Sequence, residues 1–212
     1  MDLRNIAQVL AALRARLYPL SSAASLVDVL EGERPEARKA AVLIALFVRD
    51  GETHVAFIRR ASALRAHGGE IAFPGGSFEV EDESPVATAL REAHEEIGLA
   101  PERVEVLGLL QPVFTVVSNF LIVPVVAYLP MGPGQLYAQA GEVAEVLLLP
   151  LHALADPAIA HTEIWTRDGV PRPVYFYDYG SLRIWGATGR ILNTLLLLLT
   201  PPTSLSPATR DA

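Results

Sequence analysis

The longest run of apolar residues in the first half of the chain is AAVLIALFVR at residues 40–49. Such a run is typical of a central β-strand that is buried on both faces of a sheet. The polar turn DGE and the segment THVAFIRR follow it, and together they predict a β-hairpin over residues 40–60. Further apolar segments predict more strands, and the last two of these predict a second hairpin: RVEVLGLLQPVFT, FLIVPVVAYLP, EVAEVLLLP, EIWTRDG and PVYFYDYGSLRIWG.

Helical patterns occur at both ends of the chain and once in the middle. Residues 4–17 and the segment ATGRILNTLLLLL predict the two terminal helices. The central segment SPVATALREAHEEIGL has Ser84 to cap a helix, Pro85 at its first position and Gly98 to end it. Strands on both sides of this helix predict an α/β domain in which a mixed β-sheet is sandwiched between helices (α/β/α).

The polar segments indicate where the domain begins and ends. We predict an N-terminal helical segment over residues 1–36, the main domain over residues 37–200 and a loose Pro/Ser-rich tail over residues 201–212. Residues 61–82, which precede the central helix, are dense in glycine and charge, and we interpret them as an ordered loop.

Composition excludes several classes of function. The net charge of −7 argues against a protein that binds the phosphate backbone of a nucleic acid. Cysteine is absent, which excludes disulfides, thiolate catalysis and cysteine-ligated metals, and is compatible with the cytoplasmic location that we expect. The apolar run LLLLLT near the end is too short for the ~20 residues of a membrane span, so we expect no membrane partner.

Three glutamates, Glu92, Glu95 and Glu96, share one face of the central helix, because successive helical residues are ~100° apart. Like charges at this spacing repel one another unless something offsets them. The apolar stripe of the helix leaves them mostly away from the core, so they form either a solvated surface or a cation site. The upstream Gly75 and Gly76 favour a cation site, since glycine lets the backbone approach a ligand and Mg²⁺ prefers oxygen ligands.

The segment from Gly76 to Leu99 resembles the Nudix box, whose core reads R-E-U-x-E-E-x-G-U with U a bulky aliphatic residue. Position 93, the first U, is a small alanine in this chain. The resemblance implies a Nudix hydrolase domain over residues 37–200 and a hydrolysis that depends on Mg²⁺ or Mn²⁺. The residues that carry it, with their spacing, are Gly76, Arg91, Glu92, Glu95, Glu96, Gly98 and Leu99.

The same resemblance implies the roles of the catalytic residues. Glu92 and Glu96 correspond to the principal metal ligands and Glu95 to an auxiliary one, while Arg91 orients the glutamates through a salt bridge. The partner of Arg91 is left open by the spacing. It is Glu83 when positions are counted back from Arg91, and Asp82 when they are counted forward from Gly76.

A second motif, RASALRAHGGEIAFPGG at residues 60–76, resembles the signature of the coenzyme A pyrophosphatase branch of the Nudix hydrolases. This resemblance implies cleavage of coenzyme A or its derivatives to 3′,5′-ADP and 4′-phosphopantetheine or acyl-phosphopantetheine. Arginine suits such a substrate because its planar fork matches phosphate. The substrate-binding residues that we expect are Arg60, Arg65, His67, Phe73, Gly75 and Gly76.

Two other functions are compatible with the box. One is a Nudix pyrophosphatase that acts on ADP-ribose, NADH or another nucleoside diphosphate derivative. The other is a catalytically silent Nudix module that binds a ligand, although such modules typically lose one of the box glutamates and this chain keeps all three. Neither Glu142 nor Glu145 is favoured as the general base. The apolar terminal helices could cover a pantetheine arm or the partner in a homodimer.

Overall fold

The computed structural model describes residues 1–23, 25–26, 32, 34–63, 67–167 and 169–200. Arg65 and the predicted tail over residues 201–212 therefore lie outside the described residues. The helices described over their whole length are α1 (Ile6–Arg14), α2 (Pro85–Ile97), α3 (Leu151–Leu154) and α4 (Gly186–Leu199). The strands are β1 (Arg38–Arg49), β2 (Glu52–Arg60), β3 (Ile71–Ala72), β4 (Gly75–Ser77), β5 (Glu105–Leu109), β6 (Val113–Thr115), β7 (Phe120–Tyr128), β8 (Val143–Pro150), β9 (Ala160–Arg167), β10 (Val170–Tyr179) and β11 (Leu182–Ile184).

Strand β1 is the centre of the main sheet, as its apolar run predicts. It pairs along its length with β7 in parallel, and its last residues pair with β2 in the predicted antiparallel hairpin. Its first residues, from Ala40 to Val42, pair instead with the short strand β4. The sheet is therefore mixed, with the order β3-β2-β1-β7-β5, and β4 covers the part of β1 that β2 leaves unpaired.

Alternate residues of β1 enter two hydrophobic cores on opposite faces of the sheet. One core contains Ile44 and Leu46 together with apolar residues of α1 and α4. The other contains Ala41 and Leu43 together with Ala89, Ala93 and Ile97 of α2. The alternation follows from the pleat of a strand, in which successive side chains point to opposite faces. A mixed sheet between two layers of helices confirms the predicted α/β/α class.

The interpretation of residues 61–82 as a loop was incomplete, because two short strands lie within it. Strand β3 pairs with the end of β2, and β4 pairs with the start of β1. Glycine-rich sequences carry little strand propensity, so only these long-range partners make the two segments extended. The predicted helix at residues 4–17 is also shorter, and it begins after Asn5, whose side chain accepts hydrogen bonds from the first turn.

A second, three-stranded sheet contains β9, β10 and β11, and it includes the predicted second hairpin. All eight residues of β9 are exposed, so this strand extends beyond both cores. Among the described residues, no helix has the length and apolarity that would let it cross a membrane.

Candidate active site

Helix α2 carries the three glutamates, and it begins and ends at the residues that the sequence predicts. The Ser84 hydroxyl accepts a hydrogen bond from the backbone N–H of Ala87, and Pro85 is the first helical residue. Gly98 ends the helix with a left-handed backbone at φ 68°. These caps, together with the apolar stripe packed on β1, set the rotation of the helix about its axis. As a result, Glu92 and Glu96 face strand β4.

The two glycines of β4 make this close approach possible. A Cβ atom on Gly75 would overlap the backbone carbonyl of Ala41, and Gly75 has a positive φ of 154°. A Cβ atom on Gly76 would overlap the carboxylate of Glu92. Glycine is therefore required at Gly75, where a side chain would push β4 away from β1, whereas a side chain at Gly76 would displace the carboxylate of Glu92. The two residues form a backbone wall directly beside the carboxylates.

Glu96 is buried, with a relative exposure of 3%, which contradicts the expectation that all three glutamates lie away from the core. The backbone N–H of Gly75 donates to its Oε2 at 2.9 Å. Burial raises the pKa of Glu96 to about 7, and the charges of Glu92 and Glu142 add to this effect. Glu96 is buried because strand β4 covers it, and the periodicity of the helix alone could not predict this contact. A carboxylate in this environment is stabilised by any cation that approaches it.

Glu92 and Glu95 differ in their surroundings although both contact Arg91. Burial raises the pKa of Glu92, and Arg91 opposes that effect. Glu95 is largely exposed, and its Oε2 accepts a hydrogen bond from Arg91 at 3.1 Å. The structure therefore brings Glu92 and Glu96 together at the glycine wall, whereas Glu95 lies at the outer edge of the group.

Arg91 connects the helix to the loop that precedes it. Its Nε and Nη2 atoms donate to the two carboxylate oxygens of Asp82 at 3.1 and 2.9 Å, and Nη2 also donates to the carbonyl of Ser77. The hydrogen bonds from Arg91 lower the pKa of Asp82 to about 2. Of the two acids that the spacing left open, Asp82 is thus the partner of Arg91. Glu83 is exposed and forms no such pair.

The residues of the upstream motif are distributed over different environments. Arg60 lies at the end of β2 with its Nη1 4.0 Å from Glu96 Oε1, and its buried Nε has no hydrogen-bond acceptor among the described residues. His67 is exposed and contacts Glu70 through Nδ1 at 3.0 Å. Phe73 is buried and stacks on Phe57, with ring centroids 4.5 Å apart. Arg60 thus reaches the glutamates, whereas Phe73 supports the backbone of the glycine wall from the core.

Glu142 comes from a distant part of the chain, and its charge acts on the glutamates of α2. The turn before β8 is attached to the end of α2, because Gln139 N–H donates to the carbonyl of Glu96 and Tyr137 N–H donates to that of Ile97. The charge of Glu142 raises the pKa of both Glu92 and Glu96. Glu145 is paired instead with Arg59 at 3.2 Å. No spacing in the sequence could separate these two acids, since their position depends on how the turn packs on the helix.

The oxygen donors at this site fit a hard divalent cation. Among the described residues, no three acidic or histidine side chains are close enough to form a complete metal cage. Mg²⁺ does not require one, because it usually binds through one or two carboxylates and completes its shell with water and substrate phosphates. Glu92 and Glu96 provide two carboxylates beside the half-buried backbone of Gly75 and Gly76, and the pKa of each is raised.

Comparisons with known proteins identify the family of this chain. A family profile described as the NUDIX domain matches residues 37–168. The chain is 38% identical over 158 residues to the "Uncharacterized Nudix hydrolase NudL" of Photorhabdus laumondii, covering 74% of this chain and 83% of that protein. It is 40% identical over 161 residues to the protein with the same description from Enterobacter sp., covering 76% and 82%.

A solved structure of a Nudix hydrolase from M. smegmatis, RenU, aligns with a TM-score of 0.47 and 25% identity, covering 57% of this chain and 74% of that one. The residues matched by the family profile include β4, Asp82, Arg91 and the three glutamates of α2. The family profile and the two relatives together show that this chain belongs to the Nudix hydrolase family.

Proposed function

We propose that this protein is a metal-dependent hydrolase that cleaves the pyrophosphate of coenzyme A or its derivatives. The products are 3′,5′-ADP and 4′-phosphopantetheine or acyl-phosphopantetheine. The observation that carries the proposal is the placement of Glu92 and Glu96 against the glycine wall, with the partly exposed Arg60 beside them. The carboxylates of Glu92 and Glu96 could bind a cation, and the guanidinium of Arg60 could bind an anion beside it. A metal-bound pyrophosphate needs both kinds of group.

Glu92 and Glu96 would hold Mg²⁺ or Mn²⁺, and Glu95 would act as an auxiliary ligand. When bound, such an ion neutralises the pyrophosphate and activates the attacking water. Arg91 keeps the helix in place through Asp82 while its remaining N–H groups orient Glu92 and Glu95. The hydrogen bond from Gly75 to Glu96 fixes the orientation of that carboxylate.

Arg60 is the residue of the upstream motif that supports an anionic substrate most directly. Its Nε is buried without an acceptor among the described residues, and a buried donor left without a partner costs about 1–3 kcal/mol. The side chain as a whole is 31% exposed, so part of it is accessible to a substrate, and arginine binds phosphate with paired, charge-assisted hydrogen bonds. Arg65 belongs to the same motif and is proposed for the same role from the resemblance alone. The choice of coenzyme A over other diphosphates rests on this motif.

The experiment that tests the function is product analysis with coenzyme A, ADP-ribose and NADH, each with and without Mg²⁺ or Mn²⁺. Metal-dependent release of 3′,5′-ADP from coenzyme A, with little turnover of the other two, is the expected result. Preferential turnover of ADP-ribose or NADH would keep the hydrolase and reject the coenzyme A assignment. No turnover of any substrate would favour the silent ligand-binding module.

Glu142 is our candidate for the general base, and replacing it should separate catalysis from binding. We expect Glu142→Gln to lower kcat about a hundredfold with little change in KM, because general-base catalysis contributes at least about that factor. Glu145→Gln is the matched control, since Glu145 pairs with Arg59 and should leave kcat near the wild-type value. Equal kcat values for the two variants would reject Glu142. A changed Mg²⁺ requirement with intact kcat would assign it to metal binding instead.

A further inference from the structure

Strand β9 forms one edge of the second sheet, and its outer side is unpaired over most of its length. The sheet has the order β11-β10-β9, and β9 pairs with β10 along all eight of its residues without a register shift. From Ala160 to Thr166, no backbone group bonds to a segment outside this hairpin in the described part of the chain. A regular edge of this kind is a template on which another strand can pair.

The prolines of β10 show which backbone groups of β9 point outward. Pro171 lies opposite Thr166, and Pro173 lies opposite Ile164. Opposed residues of antiparallel strands alternate between pairs that exchange hydrogen bonds and pairs that do not. Proline has no backbone N–H, so both of these pairs belong to the second kind. The backbone N–H and C=O groups of Ile164 and Thr166 therefore point away from β10.

The backbone of Tyr175 agrees with this assignment. A Cβ atom on Gly189 would overlap the carbonyl oxygen of Tyr175, so this carbonyl points towards α4 and not towards β9. Tyr175 lies opposite Thr162, whose backbone groups therefore also point outward. The two prolines lack the N–H groups that the outer side of β10 would need for pairing. Strand β9 has no proline, no lysine and no bulge, so these common protections of an edge strand are missing from it.

The side chains of β9 are complementary to a second copy of the same strand. The outward-pointing residues have even numbers, so even-numbered residues must oppose each other in a symmetric antiparallel pair, and the two-fold axis passes through a residue. With the axis at Trp165, Glu163 of each copy lies opposite Arg167 of the other. An axis at Glu163 would oppose two carboxylates, and an axis at Ile164 would leave Glu163 opposite an indole.

The attraction between Glu163 and Arg167 can act only between two copies. The two residues are four positions apart in one strand, which separates them by about 13 Å along it. Directly opposed residues in neighbouring strands have Cβ atoms about 4.5–5.5 Å apart, and opposite charges at that distance stabilise the pairing. Trp165, which is 47% exposed, would pack against its own copy at the axis.

We propose that β9 is the interface of a homodimer, in which it pairs antiparallel with β9 of a second copy across a two-fold axis at Trp165. The two three-stranded sheets then form one continuous sheet. The terminal helices α1 and α4 instead contribute apolar residues to the core of their own chain. The proposal does not depend on the substrate, so it stands or fails separately from the proposed function.

Charge reversal tests the register of the interface. We expect sedimentation velocity at micromolar concentrations to show a wild-type dimer that dissociates on dilution, because the paired strands are short. Glu163→Arg and Arg167→Glu each place like charges opposite one another twice, so each variant should raise the dissociation constant about tenfold. An equal mixture of the two variants should form a heterodimer with nearly wild-type affinity, since opposite charges then face each other at both positions.

The control for these variants is Glu102→Arg. Glu102 is exposed and lies outside the second sheet, so the same change of charge there should leave the dissociation constant near the wild-type value. A wild type that stays monomeric would overturn the proposal. A dimer that neither β9 variant weakens, or a mixture that does not restore the affinity, would also overturn it.

A proline variant tests the backbone pairing independently of charge. Ile164→Pro removes an outward N–H that β10 does not use, so we expect it to abolish the dimer while the far-UV circular dichroism spectrum stays that of the wild type. Ile164→Val is the matched control, because it keeps the N–H and suits a strand. Equal dissociation constants for the two variants would show that β9 does not pair with its copy.

Discussion

Glu96→Gln is expected to lower kcat/KM for coenzyme A about a thousandfold. A metal ion bound there would supply several kcal/mol of transition-state stabilisation, and each factor of ten in rate corresponds to about 1.4 kcal/mol. Glutamine keeps nearly the same shape, and its amide oxygen can still accept the hydrogen bond from Gly75. What changes is the charge that would hold the cation. Steady-state hydrolysis with saturating Mg²⁺ measures the effect, and turnover at the wild-type level would reject the metal-site assignment.

The same variant should behave in the opposite way in stability measurements without metal. The pKa of Glu96 in the folded protein is raised to about 7, so the folded state resists ionisation of this group. Stability from this group therefore decreases as pH rises from its ordinary value, about 4.3, through about 7. At higher pH and without metal, Glu96→Gln should be at least as stable as the wild type.

Mg²⁺ provides a second readout for Glu96 that does not depend on substrate. An ion that binds the folded protein alone raises its Tm, so Mg²⁺ should stabilise the wild type. Glu96→Gln should lose most of this shift, while Glu145→Gln, whose acid pairs with Arg59, should keep it. A shift of equal size in all three proteins would show that the ion binds elsewhere.

Arg91→Ala is expected to have the largest effect on stability, a loss of about 2 kcal/mol in the free energy of unfolding. Asp82 has a side chain that is only 5% exposed, and without Arg91 its charge is left without a cation. Breaking a fully buried pair costs about 3–5 kcal/mol, and we reduce that value because Arg91 is partly exposed and solvent screens the pair. Urea unfolding at neutral pH measures the loss.

The control for Arg91 is Arg14→Ala, which removes an exposed ion pair with Glu105. Exposed pairs contribute about 0–1 kcal/mol, so this variant should unfold nearly like the wild type. If both variants lost the same free energy, burial of Asp82 would not be the cause.

The stability that the ion pair of Asp82 and Arg91 contributes should decrease as pH falls. Since the pKa of Asp82 is lowered to about 2, its contribution is complete above the ordinary value of about 3.9 and is lost as pH falls through about 2. The difference in unfolding free energy between wild type and Arg91→Ala should therefore shrink as pH falls over that interval. A difference that stays constant would mean that Asp82 is not the group involved.

Local patterns in the sequence were sufficient to predict the central helix and the central strand. Ser84, Pro85 and Gly98 mark the ends of α2, because caps act on backbone groups within a few residues. The run from residue 40 to 49 predicted the central strand, since a residue series that is apolar at nearly every position must be covered on both faces. The short strands β3 and β4 were missed, because their extended form depends on partners elsewhere in the chain.

By itself, the sequence determined the α/β class, the capped helix with its three glutamates and the membership in the Nudix family. Only the tertiary structure decided that Glu96 is buried and that Asp82 and not Glu83 holds Arg91. It also decided that the charge of Glu142 acts on Glu96 while Glu145 pairs with Arg59. The physical reason is the range of the interactions. Caps and periodicity depend on neighbours in the chain, whereas burial and charge pairing depend on which distant segments the packed sheet brings together.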